Sequence, residues 1–284
     1  MIKRFLVATL FLIVIISSFT GCSFNKGNTS KKIIAVSIAP QVTFVEKVCE
    51  DKFEVVNIIP SGASPETYEP TPADVQKLED AEIYFAIGVP AEDGKILSFV
   101  DKEKCVSLQN AAKKSYSELY TDGGRDPHIW LSPKRVIEMI AEIEKTLCEL
   151  DPENADLYKQ NSKEYILELQ STDTQIHNIF KNKKVKRFIM FHPSFGYFAD
   201  DYGLEMLALE QDGKEVNAKR MAELATLAKK QGINEIFYQA EASQKQAQAF
   251  AEQIDGQAIC LEPLSADYCN NLLKTAELIS KAVE

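Results

Sequence analysis

Histidine is scarce in this chain, three residues in 284. They stand at His128, His177 and His192. With so few imidazoles there is no His-Glu-x-x-His stretch, which excludes the zinc-protease helix built on that motif. Cysteine is equally unhelpful as a scaffold. The six cysteines contain no Cys-x-x-Cys pair. Once Cys22 is set aside, Cys49, Cys105, Cys148, Cys260 and Cys269 make an odd set that describes neither a disulfide framework nor a zinc knuckle. They read as small buried hydrophobes, and nothing in their spacing supports a Cys260–Cys269 bridge. Basic charge is in deficit: 32 Lys and Arg stand against 42 Asp and Glu, a net charge of −10. That balance excludes a nucleic-acid partner and suits either an exported soluble protein or a binder of cations. Long apolar runs are missing too, apart from Phe5 to Ile16. That run falls short of the about 20 residues that cross a bilayer.

What the run does fit is export. It follows the basic start Met1-Ile2-Lys3-Arg4 and closes on Phe19-Thr20-Gly21-Cys22. The ending resembles a bacterial lipobox, with Phe19 where leucine is usual. The resemblance implies a signal peptide over 1–21 and a lipidated Cys22 that anchors the mature chain to the cell membrane. Residues 22–32 are polar and without apolar periodicity, so they read as a tether.

The remaining body is long enough for two lobes, and its pattern alternates strand and helix twice. Strands are expected at 33–38, 53–59, 83–87 and 105–108, then at 186–191, 205–209, 235–238 and 258–261. A helix is expected at 42–50, and another opens at Thr71-Pro72-Ala73-Asp74 with a cap, a proline and an N3 carboxylate. A third starts at Ser132-Pro133 and carries an apolar stripe through Val136, Ile137, Ile140, Ile143, Leu147 and Leu150. Asp151-Pro152-Glu153 then opens a long charge-rich helix, half-exposed by its pattern, over 152–182. Further helices are expected at 195–201, 218–231, 243–254 and 267–282. Regular alternation of this kind predicts an α/β fold: two Rossmann-like lobes with parallel sheets, 33–151 and 183–284, joined by one long helix with a ligand cleft between them.

Open α/β sheets bind ligands beyond the carboxyl ends of their strands. Three loops there carry notable residues: Ser64-Pro65-Glu66-Thr67-Tyr68-Glu69-Pro70, His192-Pro193-Ser194-Phe195 and Glu262-Pro263-Leu264. Asp126-Pro127-His128-Ile129-Trp130-Leu131 leads into the Ser132 helix as a fourth. His128 sits on a short rigid lead-in beside the only tryptophan, a placement that suggests a metal ligand. A structural histidine capping a loop is the plainer alternative. Pro65, Pro127, Pro193 and Pro263 stiffen all four segments, which lowers the entropy lost on gripping an ion. His177 lies mid-helix in a polar stretch and reads as an exposed helix residue. Trp130 and Tyr68 read as packing that supports the loops.

These four loops, and the body from Ile33 to Glu284 that holds them, resemble the zinc/manganese-type solute-binding lipoproteins of bacterial ABC importers. Carried over position by position, the resemblance implies Glu66, His128, His192 and Glu262 as metal ligands. Glu69 stays open as a substitute for Glu66, and Cys260 or Asp267 for Glu262. It also implies two lobes on a rigid helix with little hinge motion. Two positions depart from the family: its first loop has Asp-Pro-His where this chain has Ser64-Pro65-Glu66, and its fourth ligand is usually aspartate. The histidine-rich loop of many zinc-specific members is missing too, since Leu108 to Gly124 contains no histidine. Imidazole with carboxylate suits Zn²⁺ and Mn²⁺ alike, with Fe²⁺ behind them. The implied function is non-enzymatic: a monomeric, lipid-anchored receptor that captures a divalent metal and passes it to an ABC permease and its ATPase. The competing readings are a secreted metal-dependent hydrolase and a surface adhesin of the same fold. A catalytic zinc keeps an open position for water beside a general base, which four protein ligands would close.

Overall fold

The computed structural model describes residues 31–283 except 122, 185–186, 211–216 and 242–243. The expected signal peptide, Cys22 and the tether up to residue 30 lie outside the described residues. Among the described residues, no helix is long and apolar enough to cross a membrane.

The first half builds a sheet from β1 (Ile33–Val36), β2 (Glu54–Asn57), β3 (Ala81–Ala86) and β4 (Cys105–Ser107). Its order is β2-β1-β3-β4 and every pair is parallel. Parallel neighbours need crossovers. These include α1 (Ala39–Cys49), between β1 and β2, and α2 (Pro72–Asp80), between β2 and β3. The second half repeats the plan with β7 (Arg187–Met190), β8 (Glu205–Ala208), β9 (Glu235–Gln239) and β10 (Gln257–Leu261), ordered β10-β9-β7-β8 and again wholly parallel. Its helices are α6 (Gly196–Tyr202), α7 (Ala218–Gln231), α8 (Gln244–Gln253) and α9 (Tyr268–Ala282). Between the halves run α4 (Pro133–Leu150) and the long α5 (Ala155–Phe180).

All eight expected strands are present, and the helix starts at Thr71 and Ser132 are capped as their residues predict. Asp74 N–H donates to Thr71 Oγ1 at 3.3 Å, and Thr71 N–H returns a bond to the Asp74 carboxylate at 3.0 Å. Arg135 N–H donates to Ser132 Oγ at 3.3 Å, with Pro133 in the first turn where a missing N–H costs nothing. The features that were not expected include α3 (Leu108–Lys113) and a hairpin of β5 (Tyr120–Thr121) and β6 (Gly124–Arg125). Elements this short carry too few apolar repeats for periodicity to show. Cys260 and Cys269 form no disulfide.

One apolar core runs through both lobes. It takes in β1 and β3, the inner faces of α4 and α5, then Phe188 and Met190 of β7, and finally Leu272, Ala276 and Ile279 of α9. The two faces of β7 divide their residues by parity. Phe188 and Met190 point into this shared core, whereas Ile189 and Phe191 point into a second one with Leu224, Ala228 and Phe250. α5 buries Tyr158, Ser162, Tyr165, Leu169, Thr172, Ile176 and Phe180, steps of three and four residues that put one stripe inward. The final helix reaches back to the first lobe: Tyr268 meets Phe44 of α1 edge to face at 4.9 Å. The lobes therefore share packing as well as the joining helix.

A buried ionic clasp adds to this. Arg135 on α4 donates from Nη1 to Asp201 on α6 at 2.7 Å, and Ser132 Oγ donates to the same carboxylate at 2.5 Å. The guanidinium also lies 4.6 Å from the centre of the Tyr197 ring. Removing the carboxylate would leave a buried guanidinium short of its counter-charge. Asp201→Ala is expected to destabilise the fold by about 3 kcal/mol, read as a lower urea midpoint. An unchanged midpoint would show the clasp to be idle.

Candidate metal centre

After β2 the chain stays paired through Ile59 and then turns. Ser64 organises the next stretch, its hydroxyl accepting from Glu66 N–H at 3.2 Å and its carbonyl from Tyr68 N–H at 3.0 Å. Ala91 N–H fastens to Pro65 O at 2.9 Å, and Tyr68 Oη donates to Asp74 at 2.7 Å, so the loop is pinned on both sides of Glu66. In the second loop Trp130 is buried. Its indole N–H donates to Pro263 O at 2.8 Å, and its carbonyl accepts from Tyr268 Oη at 2.7 Å. The sequence reading of Trp130 and Tyr68 as supports is thus visible as hydrogen bonds.

The structure brings Glu66, His128 and His192 together, with one donor atom from each lying within 4.8 Å of the others. His192 Nε2 is 3.0 Å from Glu66 Oε1 and 3.4 Å from His128 Nε2. Two ligands at ordinary zinc distances on a tetrahedral ion stand about 3.3 Å apart, so these spacings already match the edges of such a site. Behind each imidazole stands a carboxylate. Asp126 Oδ1 accepts from both the backbone N–H and Nδ1 of His128, at 2.9 and 2.8 Å. Glu210 Oε2 pairs with His192 Nδ1 at 2.7 Å. Both rings thus keep their Nδ1 engaged and turn Nε2 toward the shared space, the arrangement that fixes tautomer and orientation at metal-binding histidines.

Glu262 does not join them. Along an extended segment side chains face opposite ways in turn. Leu261 and Pro263 are buried while Glu262 between them is exposed. The indole bond to Pro263 O and the Asn271 side-chain bond to Glu262 O, 2.8 Å, hold that parity. Glu262 instead lines a neighbouring cavity of about 250 Å³ with Glu241. Cys260 and Asp267, either of which could have stood in for Glu262, are exposed. Glu69 also stays apart, exposed and paired with Lys95 at 3.3 Å. His177 is exposed on α5, as its polar surroundings in the sequence suggest.

Sequence reasoning overlooked Glu210. It lies two residues past β8, and Met190 pairs with Ala208 in the β7–β8 register, so His192 and Glu210 fall opposite each other. The signal was there, but only once those two strands are known to be neighbours. Asp126 was noted within its motif without a task. Gly196 serves it, because a Cβ at Gly196 would collide with Asp126 Oδ2. Gly196→Ala should displace the Asp126 carboxylate, and Glu210→Leu should free the His192 ring. Each is expected to weaken metal binding by about 10- to 100-fold, measured by competition titration with a chromophoric chelator. Unaltered affinity in both would show that the carboxylates do not position the rings.

The electrostatics make His192 a proton holder when no metal is present. Burial presses its pKa down, but hydrogen bonds to Glu210 and Glu66, with their charges, overrule burial and hold it up to about 9. The same bond to His192 keeps the Glu66 carboxyl below its usual range against the upward push of burial. A metal must displace the Nε2 proton, so binding should release about one proton per ion at pH 7 and weaken as pH falls below about 9. Calorimetry in buffers of different ionisation enthalpy reads this directly. A buffer-independent enthalpy would contradict it.

The family model described as "ZnuA: Zinc-uptake complex component A periplasmic" matches residues 34–282. The chain belongs to that family. It is 30% identical over 280 residues to the high-affinity zinc uptake system protein ZnuA of Bacillus subtilis, covering 92% of this chain and 87% of that protein. It is 29% identical to the zinc-binding lipoprotein AdcA of Streptococcus pneumoniae over 86% of this chain, and spans only about half, 52%, of that longer protein. Among solved structures, a ZnuA deletion mutant with zinc bound superimposes with a TM-score of 0.82 at 34% identity, covering 89% of this chain and 98% of that one. Both the family resemblance and the two-lobed α/β architecture expected with it are borne out.

Proposed function

We propose that the protein is the extracytoplasmic receptor of an ABC-type importer, which takes up one zinc ion at Glu66, His128 and His192 and delivers it to a membrane permease driven by its ATPase. Lipidation at Cys22 would hold it at the cell surface, and it would act as a monomer by binding and release. The observation that carries the reading is the pair of imidazoles, each backed by a carboxylate, converging with Glu66 at zinc-like spacing. Together they border two spaces, one of about 10 Å³ shared with Gln239 and one of about 230 Å³ shared with Asp126 and Arg125. The relatives' names point to the same cargo.

Manganese is the weaker candidate. Carboxylate and water oxygens suit it, and with Glu262 turned away the donor set is two nitrogens and one carboxylate. Three protein ligands leave a position open, which is also the pattern of a catalytic zinc. A hydrolase would need a base on the water in that position. Asp126 and Glu210 are committed to the imidazoles, and the remaining side-chain carbonyl at the cavity, Gln239, is neutral. These observations favour transport over hydrolysis.

Chelator-stripped protein titrated with Zn²⁺ should bind one ion, and Glu66→Ala combined with His192→Ala should weaken binding by more than about 100-fold. Unchanged affinity in that double variant would refute the site.

A further inference from the structure

Glu210 and His192 are two members of a row that has a third. In the second sheet β7 lies between β8 and β9, and Met190 pairs with Ala208 on one side and with Phe237 on the other. Two residues further along each strand the row reads Glu210, His192, Gln239. Gln239 ends β9 and lines the small cavity together with Glu66, His128 and His192. Its Oε1 is buried, and no described residue donates a hydrogen bond to it. A buried acceptor without a donor is costly and calls for an explanation. A ligand that brings its own donor supplies one.

A tetrahedral ion held by three protein ligands keeps a fourth position. Water there presents O–H donors, in a space of about 10 Å³ that has room for roughly one such molecule. We propose that Gln239 is a positioning residue for the cargo: its Oε1 accepts a hydrogen bond from the water on the ion's fourth position and so sets how tightly the ion is held. A neutral carboxamide accepts that bond without being able to take the proton. The water stays intact, which suits capture and release. This inference rests on the proposed metal-receptor reading and adds a residue that the ligand set does not contain.

The test compares the full chain carrying Gln239→Leu, which removes the acceptor at similar size, with Gln239→Glu, which keeps an oxygen acceptor. Each is titrated with Zn²⁺, its Co²⁺-loaded visible spectrum is recorded, and its metal-free melting temperature is measured. Gln239→Leu should bind Zn²⁺ about tenfold more weakly and change the Co²⁺ bands. Its metal-free melting temperature should be no lower than that of the unaltered protein, since an unsatisfied acceptor has gone. Gln239→Glu should bind no more weakly than the unaltered protein. Equal weakening in both variants, unchanged affinity in Gln239→Leu, or a drop in its metal-free stability that accounts for the loss would each overturn the proposal. If the unaltered protein fails to bind Zn²⁺ at all, the receptor reading falls, and this one with it.

Discussion

Two hydrogen bonds, Asp126 to His128 and Glu210 to His192, set the constraint on which the candidate site depends. An isolated imidazole turns about two side-chain torsions and offers either nitrogen. Here each Nδ1 is engaged, so both Nε2 atoms face one point, 3.4 Å apart. The carboxylates also place negative charge behind the rings, which favours a cation in front of them. In the metal-free state a proton on His192 answers the same field, and that is why its pKa rises despite burial.

Holding those bonds requires that pieces from both lobes stay in fixed relation. Glu66 and His128 come from the first half of the chain, His192 and Glu210 from the second. The shared core through α4, α5 and β7, the Arg135–Asp201 clasp and the return of α9 to α1 resist relative motion of the halves. The indole bond from Trp130 to Pro263 O ties the second metal loop to the fourth. A site assembled before its ligand arrives loses little ordering entropy on binding. That agrees with a receptor whose lobes move little, as its family resemblance implies.

Much of this was legible in the residues. Strand–helix alternation showed the paired parallel sheets because buried parallel strands and amphipathic helices have different apolar periods. Ser132-Pro133 and Thr71-Pro72 carried their caps openly. His128 and His192 stood out because histidine is rare, with one on a short lead-in to a capped helix and the other just past a strand end. Pairwise register was the part that remained hidden. Glu210 and Gln239 become neighbours of His192 only when β8 and β9 are known to flank β7, a relation between segments far apart in the chain. Glu262 shows a related limit: the motif located the residue, but which way its side chain faces is decided by the parity that Trp130 imposes at Pro263.

The site stands or falls on whether one ion sits among Glu66, His128 and His192. Crystals of the protein loaded with one equivalent of zinc, with diffraction recorded on both sides of the zinc absorption edge, test it most directly. A single dominant anomalous peak bounded by those three side chains is expected, with Asp126 and Glu210 still on the imidazoles behind it. A dominant peak elsewhere, such as the cavity lined by Glu241 and Glu262, would contradict this placement.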